Sequence, residues 1–268
     1  MESIKDDERS WQDVSGGELQ ERAYARPGTR TILHGQFARA AAALEIKPQH
    51  RVLDVGCGAG HFLRWLGAEQ PDAQLHGVDL SPNSVRRAQR VVPRADIRAG
   101  DAEALPYEDA SFDRVVCNGA AHHFPDTRRA FGEMWRVLSP GGRLVMYEPT
   151  STSATRTMRR LVIGFNRYES PADLAHKEEF TATLIARELA HVGFTEIRTS
   201  LHDFLAYPLS GNYIRSPLSG SPRILGALSR CEQALTGCPG VRHLGKWFAW
   251  RILVVAEKPY ADRRVVAP

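Results

Sequence analysis

Three aspartates and a cluster of glycines mark where this chain can do chemistry. Asp54 stands two residues before the run Gly56-Cys57-Gly58-Ala59-Gly60, Asp79 follows 23 positions after Gly56, and Asp101 sits in Gly100-Asp101-Ala102. A glycine turn between strand and helix lets a ligand approach backbone that a Cβ would otherwise shield. The helix behind it offers N–H groups and partial positive charge to an anion. Asp79 is placed to take both hydroxyls of a ribose, and Asp101 to accept from the amino group of an adenine. A nicotinamide dinucleotide would explain the ribose acid, but its fingerprint is Gly-x-Gly-x-x-Gly, and here the third glycine comes one residue early. Asp54 also suits a cationic amino group rather than a pyrophosphate. The ligand that meets all of these has an adenosine and an amino acid and no phosphate.

A second group of candidates lies further on. His122 and His123 follow one β-like run and Glu148 follows the next, so all three reach the same mouth of an open sheet. A histidine with a carboxylate in reach can accept a proton from an acceptor and be held in the useful tautomer. His122 is the expected base and Glu148 its orienter or a substrate ligand, with His123 second. Packing beneath the cofactor is the competing role for these rings.

The elements that must position these groups alternate. Glu18 to Leu44 is helical and broken near Pro27-Gly28. Then come β-like runs at Arg51–Val55, Gln74–Val78, Asp96–Arg98, Phe112–Cys117 and Arg143–Tyr147. Helical stretches lie between them: one from Gly60, one opened by Ser81-Pro82, and one from Thr127 to Leu138 ended by Pro140-Gly141-Gly142. Strand, helix, strand, helix is the pattern of a doubly wound parallel α/β sheet, in which ligands bind beyond the carboxyl ends of the strands. Phe180 to His191 reads as a further helix, Phe194 to Leu205 as a strand, and Arg251 to Ala256 as the last one. Residues 1–14 read as polar and frayed. The insertion Tyr207 to Trp247 is too long for a plain connection and is expected to form a helical cap. Residues 15–150 thus hold an N-terminal helix and the ligand-binding core. Residues 151–250 hold the core's sixth strand and its helix, interleaved with cap and substrate-binding insertions, and 251–258 the last strand.

Composition narrows the classes. The 268 residues are 43% hydrophobic and 25% charged, which supplies a core and excludes disorder as the dominant state. No run approaches a membrane span. The acidic, polar start is the reverse of a secretory signal, and Cys57, Cys117, Cys231 and Cys238 form no Cys-x-x-Cys pair, so a reducing cytoplasm is expected. The net charge of +4 resides in residues 151–250, with 12 basic against 8 acidic side chains. That surplus can draw an anionic small molecule but is not the basic stripe of a nucleic-acid binder. Arg156, Arg159, Arg160 and Arg167 read as a solvated helix face, and Tyr168, Tyr207, Tyr213, Trp247, Phe248 and Trp250 as cap core.

A phosphate-free adenosyl amino acid with an electrophilic centre is S-adenosylmethionine. At this point the chain resembles the class I S-adenosylmethionine-dependent methyltransferases, in particular the small-molecule group that includes ubiquinone/menaquinone C-methylases and antibiotic O-methyltransferases. The resemblance is carried by Val52 to Gly60, Gly77-Val78-Asp79-Leu80-Ser81, Gly100 to Tyr107, Ser111-Phe112-Asp113, His122-His123-Phe124-Pro125-Asp126 and Glu133 to Gly142. It is dense over residues 50–149 and only in outline over 151–250. It implies a Rossmann-like seven-stranded sheet with an antiparallel last strand. It also implies a cofactor held by Gly56, Gly58 and Gly60, with Asp79 and Leu80 at the ribose, Asp101 and Ala102 at the adenine, and Asp54 and the Asn118 carbonyl at the methionine end, closed by Tyr24 and Arg30. The expected acceptor is a small, partly apolar molecule methylated first on oxygen, with carbon or nitrogen as alternatives. A pathway enzyme or regulator that binds the cofactor without transferring methyl is the other class. No metal is expected, since Asn118 stands where metal-dependent relatives place a carboxylate. Neither a nucleic acid nor a membrane is an expected partner, and the oligomeric state stays open, a homodimer included.

Overall fold

The computed structural model describes residues 2–150, 155, 180–210, 216–236 and 247–260. Tyr168, Tyr213, Cys238 and the arginines between 156 and 167 lie outside them. Seven strands form one sheet in the order β3-β2-β1-β4-β5-β7-β6. They are β1 (Arg51–Val55), β2 (Gln74–Asp79), β3 (Asp96–Ala99), β4 (Phe112–Asn118), β5 (Leu138–Pro149), β6 (Thr195–His202) and β7 (Arg251–Glu257). β1 pairs in parallel with β2 and with β4, β2 with β3, and β4 with β5. β7 runs antiparallel to both β5 and β6.

Central parallel strands are covered on both faces and so read as continuous apolar runs rather than alternations. Val115-Val116-Cys117 and Leu144-Val145-Met146 are fully buried. Successive residues serve opposite faces: Leu53 and Val55 join a core with Phe131, Met134, Ile185 and Leu189, while Val52 joins one with Phe37, Leu44, Phe62 and Leu66. The first face is covered by α6 (Thr127–Val137) and α7 (Ala182–Val192), the second by α3 (Pro27–Leu44), α4 (His61–Glu69) and α5 (Pro82–Val91). Caps set the helix starts. Ser81 accepts from Ser84 N and precedes Pro82, Asp126 accepts from Arg129 N, and Thr181 accepts from Leu184 N. The helix expected to reach Leu138 stops at Val137, because Leu138 already pairs with Phe112 and the Pro140–Gly142 segment lies inside β5.

Strand order reverses between β1, whose other neighbour is β2, and β4, and this switch point is where the site forms. Two further regions depart from the sequence reading, the N-terminus and the end of the C-terminal insertion. The N-terminus is helical, with α1 (Glu2–Trp11), a π-helical turn at Gln12–Gly16 and α2 (Gly17–Ala25). Its polar sequence hides this, because the segment is anchored through ion pairs rather than through an apolar stripe. The described part of the C-terminal insertion, chiefly α8 (Pro222–Thr236), packs on α3: Leu225, Tyr207, Ala206, Trp250 and Ile32 form a third apolar cluster. A Cβ on Gly28 would stand 2.6 Å from Leu225 Cδ1, so the glycine lets the two elements close. Trp247 and Phe248 are exposed rather than core. No helix among the described residues is long and apolar enough to cross a membrane.

Candidate active site

The carboxyl end of β1 delivers Asp54 and the glycine turn. Gly56 has φ +74°, and a Cβ there would lie 2.4 Å from that of Ala120. The turn therefore packs against the loop after β4, and no larger residue fits. Asp54 is buried and its Oδ1 has no hydrogen-bond partner. Burial, with the charge of Asp79 added, pushes its carboxyl up to about 8. A buried carboxyl oxygen without a donor is costly, and an ammonium brought beside it would supply both donor and charge. Asp79, at the end of β2, accepts from Gly58 N at 2.8 Å and Ser81 N at 2.9 Å. Burial raises its pKa, and these two amides only partly offset that.

Asp54, Gly56, Gly58, Asp79, Leu80 and Asn118 line one side of a cavity of about 230 Å³. Tyr24 lines the other side, stacked on His61 with ring centroids 4.0 Å apart and its hydroxyl 2.7 Å from His34 Nε2. A smaller cavity of about 30 Å³ adjoins it, lined by Leu80, Asp101, Ala102 and Glu103 and sharing Gly56 and Asp79. Asp101 Oδ1 accepts from Glu103 N at 2.9 Å. The two cavities adjoin along the ends of β1, β2 and β3, with Gly56, Asp79, Leu80, His123 and Phe124 in both walls. Two expected residues are not brought there. Gly60 is absent from both walls; with φ +79° it caps α4 and lets Ala88 approach to 3.0 Å of its would-be Cβ. Arg30 is exposed, because the inward face of α3 carries Thr29, Ile32, Gln36, Phe37 and Ala40 and position 30 falls on the opposite side.

The histidines separate. His122 Nδ1 is 2.9 Å from Glu148 Oε2, so the ring donates there and its basic lone pair is on Nε2. Glu148 is fully buried, and its Oε1 also accepts from Ala120 N and Ala121 N, both at 3.1 Å. Burial works to raise its pKa, but the His122 bond and charge and these two amides outweigh it and hold the carboxyl below its ordinary value. Glu148 thereby fixes the whole loop that carries both imidazoles. His123, not His122, lines the two cavities, and its charge acts on Asp79. It stands on the Asp79 side, with Nδ1 3.3 Å from Glu8.

Sequence reasoning missed the N-terminal contributors Lys5, Glu8, Gln12 and Gln20, and also Gln36, His61 and Arg251, all in the cavity walls. Gln36 Nε2 donates to Asp203 Oδ2 at 2.6 Å, and Asp203 is held in turn by Arg39 and the Tyr147 hydroxyl. Lys5, Glu8 and Gln12 recur at helical spacing, a signal that was present but unmarked by hydrophobicity.

Residues 53–146 match a family described as a methyltransferase domain. The demethylmenaquinone methyltransferase of Deinococcus radiodurans is 44% identical over 115 residues, 41% of this chain and 47% of that protein. The uncharacterized methyltransferase YcgJ of Bacillus subtilis is 34% identical over 157 residues, 55% of this chain and 60% of that one. Among solved structures, phosphoethanolamine N-methyltransferase 2 of Haemonchus contortus, in complex with S-adenosyl-L-methionine, shares the fold with a TM-score of 0.65 at 19% identity, covering 94% of this chain and 60% of that one. The chain spans about half the length of the curated relatives it matches. Residues 53–146, which carry the glycine turn, Asp54, Asp79, Asp101 and Asn118, are thus similar to a methyltransferase domain.

Proposed function

We propose that this chain transfers a methyl group from S-adenosylmethionine to a small, partly apolar molecule, with a hydroxyl oxygen as the preferred acceptor atom. The observation that carries the reading is Asp54: a buried, partnerless carboxyl oxygen beside a glycine turn, in a wall it shares with Asp79 and Asn118. Asp54 would meet the cofactor's ammonium together with the Asn118 carbonyl, Asp79 its ribose hydroxyls, and Asp101 with Ala102 its adenine. When bound, the cofactor supplies a methyl group already activated by a sulfonium, so the protein's task is alignment and exclusion of water. Tyr24, Leu33 and Phe37 supply apolar wall on the side facing the methionine end.

His122 takes the acceptor's proton at Nε2, and Glu148 stabilises the imidazolium that results. His123 belongs to the cofactor's side. A ring carbon is the second reading, favoured by the relative named for demethylmenaquinone.

Calorimetric titration with S-adenosylmethionine, S-adenosylhomocysteine and a nicotinamide dinucleotide tests the cofactor. Heat with the dinucleotide alone would sink the proposal. Release of S-adenosylhomocysteine is then followed with phenolic and quinol acceptors, each beside its own methyl ether. The oxygen assignment predicts turnover only with the free hydroxyl and label on oxygen; label on a ring carbon moves it to the second reading.

A further inference from the structure

We propose that α1 is an intramolecular competitor for the base end of the cofactor site, with Lys5 taking the acceptors that the adenine amino group needs. The inference rests on the cofactor reading above. The Lys5 ammonium lies 2.6 Å from Asp101 Oδ2 and 2.5 Å from Glu103 Oε2. The other oxygen of each carboxylate is already used by the backbone: Asp101 Oδ1 by Glu103 N, and Glu103 Oε1 by Asp126 N at 2.7 Å. Lys5 therefore holds the two oxygens that are not committed to the loop itself.

With Lys5 in that position the base cavity measures about 30 Å³. That is room for about one or two waters, and the Lys5 ammonium stands on the two carboxylate oxygens that a purine amino group would need. The remaining walls come from strand ends and loops of the core, including Val78 to Leu80, Gly100 to Glu103 and His123 to Pro125. Lys5 is the one lining residue from outside the sheet and its loops, so α1 is the wall that can yield.

The way α1 is held agrees. Glu8 meets His123, Gln12 Nε2 donates to Glu8 Oε1 at 2.9 Å, and Asp13 in the following turn accepts from the Ser81 hydroxyl and from Asn83 N at 3.3 Å. Among the described residues α1 contributes nothing to the buried apolar core. Glu8 and Glu103 are buried, and for buried ion pairs the desolvation penalty roughly cancels the mutual attraction, so departure of the whole helix, which rehydrates both partners, has a small net cost and leaves the sheet closed. An ammonium shared by two carboxylates outcompetes a neutral amino donor at the same oxygens. The base is admitted only when ribose and methionine contacts outweigh Lys5.

The test titrates S-adenosylhomocysteine into the full chain and into Lys5→Met, Lys5→Arg and Glu103→Gln, each checked for an unchanged thermal transition. Lys5→Met is expected to bind about three- to tenfold more tightly than wild type, and Lys5→Arg to restore the wild-type value. Glu103→Gln keeps Oε1 for Asp126 N and loosens Lys5 from the other side, but it also replaces one of the two free acceptors by an amide donor, so Asp101 Oδ2 alone is left for the base and the gain in affinity is smaller than in Lys5→Met. Unchanged or weaker binding in both Lys5→Met and Glu103→Gln, beside measurable wild-type binding, overturns the competition. Absence of binding in all four proteins overturns the cofactor reading itself, and this inference with it.

Discussion

Asp54, Asp79, Asp101 and Glu148 reach the site from the ends of β1, β2, β3 and β5, strands whose apolar side chains are buried in the two cores. Lys5, Glu8, Gln12 and Gln20 reach it from α1, the turn after it and α2, where no described residue belongs to the buried apolar core. The two walls of one cleft are thus built on different physics. The sheet wall holds its charges by burial and backbone amides and tolerates an unpartnered Asp54. The helical wall holds its charges by pairing them across the cleft. A rigid wall can carry the electrostatic cost of an active site because its core supplies the stability elsewhere. The polar wall can move for the same reason that it is weakly held.

The comparison breaks first at the sheet wall. His122→Ala is expected to lower turnover on the true acceptor by about 10²–10⁴-fold, with the affinity for S-adenosylhomocysteine nearly unchanged, because His123 and not His122 lines the two cavities proposed to take the cofactor. Full activity of this variant removes the base assignment. A matching loss of cofactor affinity would instead place His122 with the ribose-side groups.

Asp54→Asn separates stability from function. It is expected to weaken S-adenosylhomocysteine by about 10–100-fold, the worth of a charge-assisted pair. Its effect on stability has the opposite sign. Burial, and then the Asp79 charge, raise the Asp54 pKa to about 8, against an unfolded value near 4. The folded chain therefore keeps a proton that the unfolded chain releases between about pH 4 and 8, and wild-type stability is lost across that window as pH rises. The asparagine variant escapes this penalty. Its advantage in thermal unfolding grows from nothing near pH 4 to on the order of 5 kcal/mol at pH 8. The same linkage governs binding. An ammonium favours ionised Asp54, so wild-type affinity rises between pH 6 and 8 by up to about tenfold per unit, with proton release that makes the binding enthalpy depend on the buffer. A flat profile in wild type would show that Asp54 is already ionised before the ligand arrives.

These residues were legible in the sequence because the sheet wall writes its function in a restricted alphabet. Gly56 has to be glycine to pass Ala120, Asp79 ends a strand, and Ser81-Pro82 announces the next helix. Apolar runs such as Val115-Val116-Cys117 betrayed the parallel sheet. The polar wall has no such alphabet. Lys5 and Glu8 resemble any solvated helix until their partners, Asp101 and His123, lie in space about a hundred positions away in the chain. Gln36 was hidden for a related reason: its role depends on Asp203, which follows β6, and on Arg39 and Tyr147 behind it. Gly60 shows the reverse error, since a motif position that is glycine for packing against Ala88 reads the same as one that is glycine for a ligand.

The smallest expected effect probes how weakly the polar wall is held. Asp13 accepts from the Ser81 hydroxyl and the Asn83 amide, so it pins the turn after α1 to the start of α5. Ser81 also caps that helix on its own, through Ser84 N at 3.0 Å. Asp13→Ala therefore removes an anchor of the strap without uncapping α5, and the global stability should fall by no more than about 1 kcal/mol. By contrast Met134→Ala, in the core beneath the same site, should cost about 2–5 kcal/mol. The discriminating measurement is local. Limited proteolysis should cleave Asp13→Ala between α1 and α2 faster than wild type while the denaturation midpoint barely shifts. Met134→Ala should do the opposite, moving the midpoint strongly and leaving the strap's cleavage rate, under conditions where the core stays folded, unchanged. Equal losses of global stability in the two variants would mean that the strap is an integral part of the core, and the two walls would then differ in composition but not in the physics that holds them.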